Sequence, residues 1–399
     1  MSATYLFVII LSAGYVGSRF IFSRIRVTGK VRHLFLMGGE YILIGVLLGP
    51  SVSGIISREM ILQLSPVIMV GIGWLGVLLG NQLAWRNLHR FSAEMHLLLL
   101  AENLIFFPLM GLLLWPLCWF VPECGRFAAG REFWLIVAAL GATSPTSITI
   151  LSHQLRLPMR FTLMPRFLSA LDGVFAILVI GLVYGLTHPV SRVVYWSLGG
   201  WPWILIAGML GILGGLFFSV LLKIARSENE TVLAIMGIII YTGGMALYLQ
   251  LPALFIALLI GAVAANVSQE HARLSQILSA TEKPFYIIFL IFAGALWRLD
   301  HWSVFLAAPA IFLLRLIGKW LATLIAARLV RPGSEVPGIS GLTLSSLAGL
   351  ALAIALEFAL IFPGPVADWI LGTFLVLVLI NQIASPLILN QVLPRLRKP

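Results

Sequence analysis

The chain has 399 residues, of which 60% are hydrophobic and 10% charged, with a mean hydropathy of +1.04 and a formal charge of +11. A soluble domain carries about 25% charged residues, so this much apolar surface excludes a single water-soluble core and calls for repeated membrane crossing. The basic excess does not read as a nucleic-acid surface, because lysines and arginines punctuate apolar runs instead of clustering.

The runs are about 20 residues long and lack the short alternation of a membrane barrel, so helices are expected throughout. They fall at about 4–22, 34–56, 62–82, 95–117, 132–152, 165–187, 200–222, 232–249, 250–268, 284–298, 303–327, 340–361 and 367–391. The expected fold is all-α and polytopic, with about 13 transmembrane helices. Short connections make residues 1–399 one membrane-embedded unit with no soluble domain. The first run precedes a basic turn and another apolar run, so it reads as a retained helix and not a cleaved signal. Cys118 and Cys124 give neither a disulfide framework nor metal-ligand spacing, and a bond between them stays open.

Alternate connections carry the basic residues. One side holds 18 of them, from Arg24, Arg26, Lys30 and Arg32 to Arg395, Arg397 and Lys398. The other side holds five: Arg58, Arg126, Arg131, Arg192 and Arg298. The bias places the first side in the cytoplasm, with the N-terminus periplasmic and the C-terminus cytoplasmic in a cell inner membrane. YILIGVLLG (41–49) and LFIALLIGAVA (254–264) share a small-residue rhythm, and each begins a set of five spans. A repeat with an odd number of spans is inverted in the membrane, a common plan for secondary transporters.

Polar residues inside the runs carry the functional question. Glu40 and Glu102 lie in the second and fourth runs. LGATSPTSIT (140–149) interrupts the fifth, where Pro145 lacks an N–H and disfavours helical geometry at Ser144. Thr143, Ser144, Thr146 and Ser147 could satisfy the freed backbone of a kinked helix, or line an unwound segment that faces a cation. Asp172 sits well inside the sixth run, where a bare carboxylate is costly. It reads either as a proton- or ion-binding acid or as half of a permanent helix-to-helix ion pair. Its basic partners would be Arg315 or Lys319, four residues apart on one helical face of the eleventh run. Glu357 in the twelfth run is a further acid for either base to meet, and His153 ends the fifth run at the cytoplasmic side. The histidines lack ligand spacing, and no phosphate loop or nucleophile elbow is present, so no enzyme and no cofactor are expected.

In order and spacing, several of these stretches resemble the monovalent cation–proton antiporters, specifically the membrane domain of bacterial sodium or potassium/proton exchangers. They are GEYILIGVLLGPSVSG (39–54), GATSPTS (141–147), LDGVFAILVI (171–180), PFYIIFLIFAGALW (284–297), LRLIGKW (314–320) and NQIASPLIL (381–389). The resemblance implies a homodimer in the lipid bilayer, with a scaffold, a mobile six-helix core and two broken helices crossing near its centre. Asp172 then matches the aspartate that exchanges H+ for Na+ or K+ by alternating access. Gly141 to Ser147, around Pro145, match the first broken helix, and Ser345, Ser346 and Gly349 lie near the second. Either Arg315 or Lys319 matches the basic residue of the eleventh span. Two positions depart from the family's pattern: Leu171 precedes the aspartate where an acid or amide is common, and Ser144 stands where many sodium exchangers have a second aspartate. A single carboxylate favours electroneutral exchange. A non-transporting membrane scaffold or sensor and a sodium-coupled organic-solute symporter are the competing expectations.

Overall fold

The computed structural model describes residues 38–125, 130–145, 148–149, 152, 157–188, 200–268, 270–330, 340–347 and 349–397. Among these, twelve helices have ten or more residues. We label them α1 (Gly39–Leu48), α2 (Ser65–Gln82), α3 (Ala93–Leu114), α4 (Arg131–Gly141), α5 (Met159–Leu186) and α6 (Gly200–Ile224). The series continues with α7 (Glu228–Leu249), α8 (Ala253–Val267), α9 (His271–Ala295), α10 (Val304–Val330), α11 (Gly349–Ile361) and α12 (Pro365–Val392). No strand occurs among the described residues, and the all-α expectation holds.

Seven helices are long and apolar enough to cross a membrane, which makes this a multi-pass membrane protein. Residues 4–22, the first expected span, lie outside the described residues. Three apolar helices, α1, α8 and α11, have only 10, 15 and 13 residues, so the described residues do not by themselves give thirteen full-length helical spans. The run expected at 284–298 begins far earlier, because α9 starts at His271 and carries the charged stretch before 284 as helix. Hydropathy marks the oily part of such a helix and misses its polar extension. The division near Leu251-Pro252 is real: Gln250 caps α7 in the left-handed conformation, and Pro252 opens α8.

The two halves pack reciprocally. Helix α1 lies along α9 of the other half, while α2 lies along α8. The third helices of each half, α3 and α10, pack on one another. Helix α5 lies against α4, as α12 lies against α11. This exchange of partners is what the repeat expected from 41–49 and 254–264 requires, with α1–α5 and α8–α12 as its copies. Glycine sets the closest approaches. A Cβ on Gly45 would overlap the Ile291 carbonyl, and one on Gly294 would overlap that of Ile42, so α1 and α9 meet backbone to backbone.

Proline in α3, α5, α10 and α12 (Pro108, Pro165, Pro309 and Pro386) leaves those helices continuous. In two other places the helix breaks. Helix α4 ends at Gly141, and Ala142 turns extended at ψ 128°. Before α11, a 3-10 turn at Ser340–Ser345 gives way to extended chain. The two extended segments meet in an antiparallel bridge between Thr143 and Leu347, and the Ser144 N–H donates to the Ser346 carbonyl at 2.9 Å.

At one end of the bundle, Arg58 donates to both carboxylate oxygens of Asp368 at 2.8 Å, and Arg298 lies 3.6 Å from the same acid. Arg58 and Arg298 come from two connections that the basic-residue pattern assigns to one side, and Asp368 from the first turn of α12. A disulfide joins Cys118 to Cys124, the bond that the sequence left open.

Candidate ion-binding site

Breaking a helix inside a bundle frees carbonyls and N–H groups that lipid cannot satisfy. Here they are taken up by side chains. Arg315, fully buried on α10, donates from Nε to the Leu140 carbonyl at 2.8 Å and from Nη2 to the Ala142 carbonyl at 2.9 Å. Its Nη1 donates to the Ser345 carbonyl at 2.7 Å, so one planar guanidinium fork spans both breaks. Asn381 on α12 completes the second break, accepting from the Leu347 N–H at 2.7 Å and donating to the Ser345 carbonyl at 2.8 Å.

Asp172 on α5 is fully buried against the first break. Its Oδ2 accepts from the Thr143 hydroxyl at 2.7 Å and from Lys319 Nζ at 2.9 Å. Its Oδ1 accepts from Asn103 Nδ2 at 3.2 Å. Asp172 and Asn381 thus stand in corresponding roles on the last helix of each half, each bonded to its own half's break. Only one of the two can carry charge.

Lys319 follows Arg315 by one turn of α10 and is equally buried. Its ammonium bridges Asp172 and Glu102 Oε1, at 2.9 and 3.1 Å, above the Phe106 ring with 4.3 Å to the centroid. The sequence offered Arg315 and Lys319 as alternatives, and the geometry divides the work. Arg315 holds backbone, and Lys319 is the ion partner. Glu102 joins the cluster, while Glu357 does not. Glu357 is buried on α11, where its Oε1 accepts the Leu254 N–H at 3.1 Å and ties α11 to the start of α8. Glu40 is buried in the first turn of α1 and takes no part in the Asp172 contacts. Gly173, next to Asp172, makes room for Leu350 of α11.

Gly141 ends α4, and Ser144 acts through its N–H on the Ser346 carbonyl. Pro145 falls just past the extended residues, as its effect on the preceding residue requires. Ser345 contributes its carbonyl to Arg315 and Asn381, and Gly349 begins α11. Ser147 and His153 lie outside the described residues. The unwound carbonyls do face a cation, but a fixed one, the guanidinium of Arg315.

No protein-family model and no curated protein matches the sequence. Among solved structures, the sodium proton antiporter MjNhaP1 from Methanocaldococcus jannaschii at pH 8 aligns over 100% of this chain and 99% of its own, at TM-score 0.67 and 16% identity. An electron-microscopy map of the same protein aligns over 99% and 97%, at TM-score 0.62 and 17% identity. The chain has the fold of this antiporter. The likeness is one of backbone path over the whole length, and the side chains of the cluster are this chain's own.

Sequence reasoning missed two residues. Asn103 and Asn381 are uncharged, and both lie at or beside positions already singled out, next to Glu102 and within NQIASPLIL. The same test that drew attention to Asp172, a polar group deep in an apolar run, would have found them.

Proposed function

We propose that this protein is a secondary antiporter that exchanges Na+ or K+ for H+ by alternating access, with the Asp172 carboxylate as the shared site. One observation carries the reading. A fully buried carboxylate lies against a helix break, paired with a single lysine ammonium that an arriving cation would replace. The whole-length likeness to a sodium/proton antiporter supports it.

Asp172 can hold a proton, a metal cation or the Lys319 ammonium. The bare anion is the expensive state in a low-dielectric core, so the binding region does not cross until Asp172 holds a proton or a metal cation. A proton or a monovalent cation each adds one positive charge, which makes one-for-one electroneutral exchange the favoured stoichiometry. Helices α3–α5 and α10–α12, which hold every member of the cluster, would form the moving body. Helices α1, α2 and α6–α9 would form the scaffold and the homodimer contact. Residues 1–399 act as one transport unit in a cell inner membrane, with the N-terminus periplasmic.

The test is proton flux in everted vesicles on addition of Na+, K+ and then Li+, beside D172N. Cation-dependent proton movement in the wild type and none in D172N is the expected result. Wild-type flux in D172N refutes the role given to Asp172.

A second reading, a non-transporting scaffold or sensor, draws on the complete pairing of Asp172, which resembles a structural ion pair. Purified, folded wild-type protein with no exchange of any of the three cations from pH 6 to pH 9 would favour it.

A further inference from the structure

The antiport reading leaves one group of the cluster without a task. Glu102 is fully buried on α3, one oxygen on Lys319 and the other, Oε2, without a hydrogen-bond partner among the described residues. Burying a second carboxylate beside the first is costly unless it compensates something. The charged groups that face it are Lys319, Asp172 and Arg315. The two acids and two bases balance, but they are not equally committed. Arg315 is spent on three carbonyls. Lys319 is divided between Asp172 and Glu102, and Phe106, one turn along from Glu102, places its ring beneath the ammonium.

We infer that Glu102 is the permanent counter-ion of Lys319, keeping that lysine charged while Asp172 changes ligand, so that Asp172 alone carries the exchanged proton. The inference rests on the proposed antiport and assigns the proton within it. When a cation or proton arrives at Asp172, the ammonium loses that partner. A buried ammonium with no anion sheds its proton. With Glu102 3.1 Å away it keeps one, and it need only tilt toward α3, the helix packed along its own α10. Lys319 is then charged in the proton-loaded and the cation-loaded states alike. In each exchange one proton leaves the Asp172 oxygen as one cation takes its place. Without Glu102, cation entry would strip Lys319 of its last anion, and the lysine itself would become a proton carrier. Glu102 acts through Lys319 and is a positioning residue.

Radioactive sodium uptake into proteoliposomes, driven by an outward proton gradient across a range of pH, tests this with purified wild type, E102Q, K319R and the double variant E102Q/K319M. Elution as a single symmetric species checks that each is folded. E102Q should raise the KM for sodium tenfold or more near neutral pH, with recovery at alkaline pH where Lys319 can lose its proton. Removing the pair together in E102Q/K319M should restore exchange relative to E102Q. K319R, whose guanidinium cannot be deprotonated, should still exchange. Folded K319R and E102Q/K319M that are both inactive would overturn the inference, because a carrier lysine cannot be spared. So would an E102Q pH profile identical to the wild type. Should one of the two lysine variants not fold, the other decides with E102Q. Wild type that exchanges neither sodium nor, in the same assay, potassium would overturn the antiport reading and this inference with it. Wild-type exchange beside either of the contrary results overturns this inference alone.

Discussion

Replacing Arg315 by methionine removes the clamp between the two broken helices. The guanidinium holds the carbonyls of Leu140, Ala142 and Ser345 at 2.7–2.9 Å in a site with no exposure. Ser345 retains Asn381 as a donor, while the carbonyls of Leu140 and Ala142 lose theirs. Each orphaned buried carbonyl costs about 1–3 kcal/mol, and the third, charge-assisted bond adds a further share. The total is on the order of 5 kcal/mol, a large fraction of the roughly 5–15 kcal/mol that stabilises a folded chain. R315K keeps the charge, but a single nitrogen cannot span both breaks, so it should recover only part of the loss. Thermal unfolding of the purified protein, followed by tryptophan fluorescence, should order the melting temperatures as wild type, then R315K, then R315M. An R315M variant that melts with the wild type would refute the clamp, since those carbonyls would then have other partners.

T143V removes the hydroxyl that donates to Asp172 at 2.7 Å without changing side-chain shape greatly. The carboxylate loses one hydrogen bond worth about 1.5–3 kcal/mol. Sodium-dependent flux should show a KM raised about tenfold to a hundredfold with folding intact, because about 1.4 kcal/mol is one decade. N381A strips two hydrogen bonds from the second break. It should lower stability by about 2–3 kcal/mol, read as a lower melting temperature. N381D puts a charge where the first half has its aspartate, and a carboxylate cannot donate to the Ser345 carbonyl, so it should not rescue N381A.

The class of fold was legible because a bilayer permits few solutions: apolar runs of helical length, with basic residues on alternate connections, describe a helical bundle before any packing is known. The break at Thr143-Ser144-Pro145 was legible for a local reason, the missing N–H of proline. Asp172 was legible because charge in oil stands out. The partners of these residues were not. Arg315 and Lys319 lie on one face of one helix, and only the placement of α3 and α4 decides which of them meets carbonyls and which meets acids. Glu102 and Glu357 look alike along the chain, yet one reaches Lys319 and the other caps the start of α8. Long-range register, not composition, separates them. The length of α9 and the shortness of α1 and α11 were hidden as well, since hydropathy does not see where a helix starts in water or breaks inside the bundle.

Competition between proton and cation at Asp172 is the central claim, and the pH dependence of sodium uptake into proteoliposomes measures it most directly. The apparent KM for sodium should rise in proportion to proton concentration on the acid side, with an unchanged maximal rate, as one oxygen pair serves both ions. A KM that stays constant while the maximal rate falls would mean that proton and cation occupy separate sites, contradicting the account.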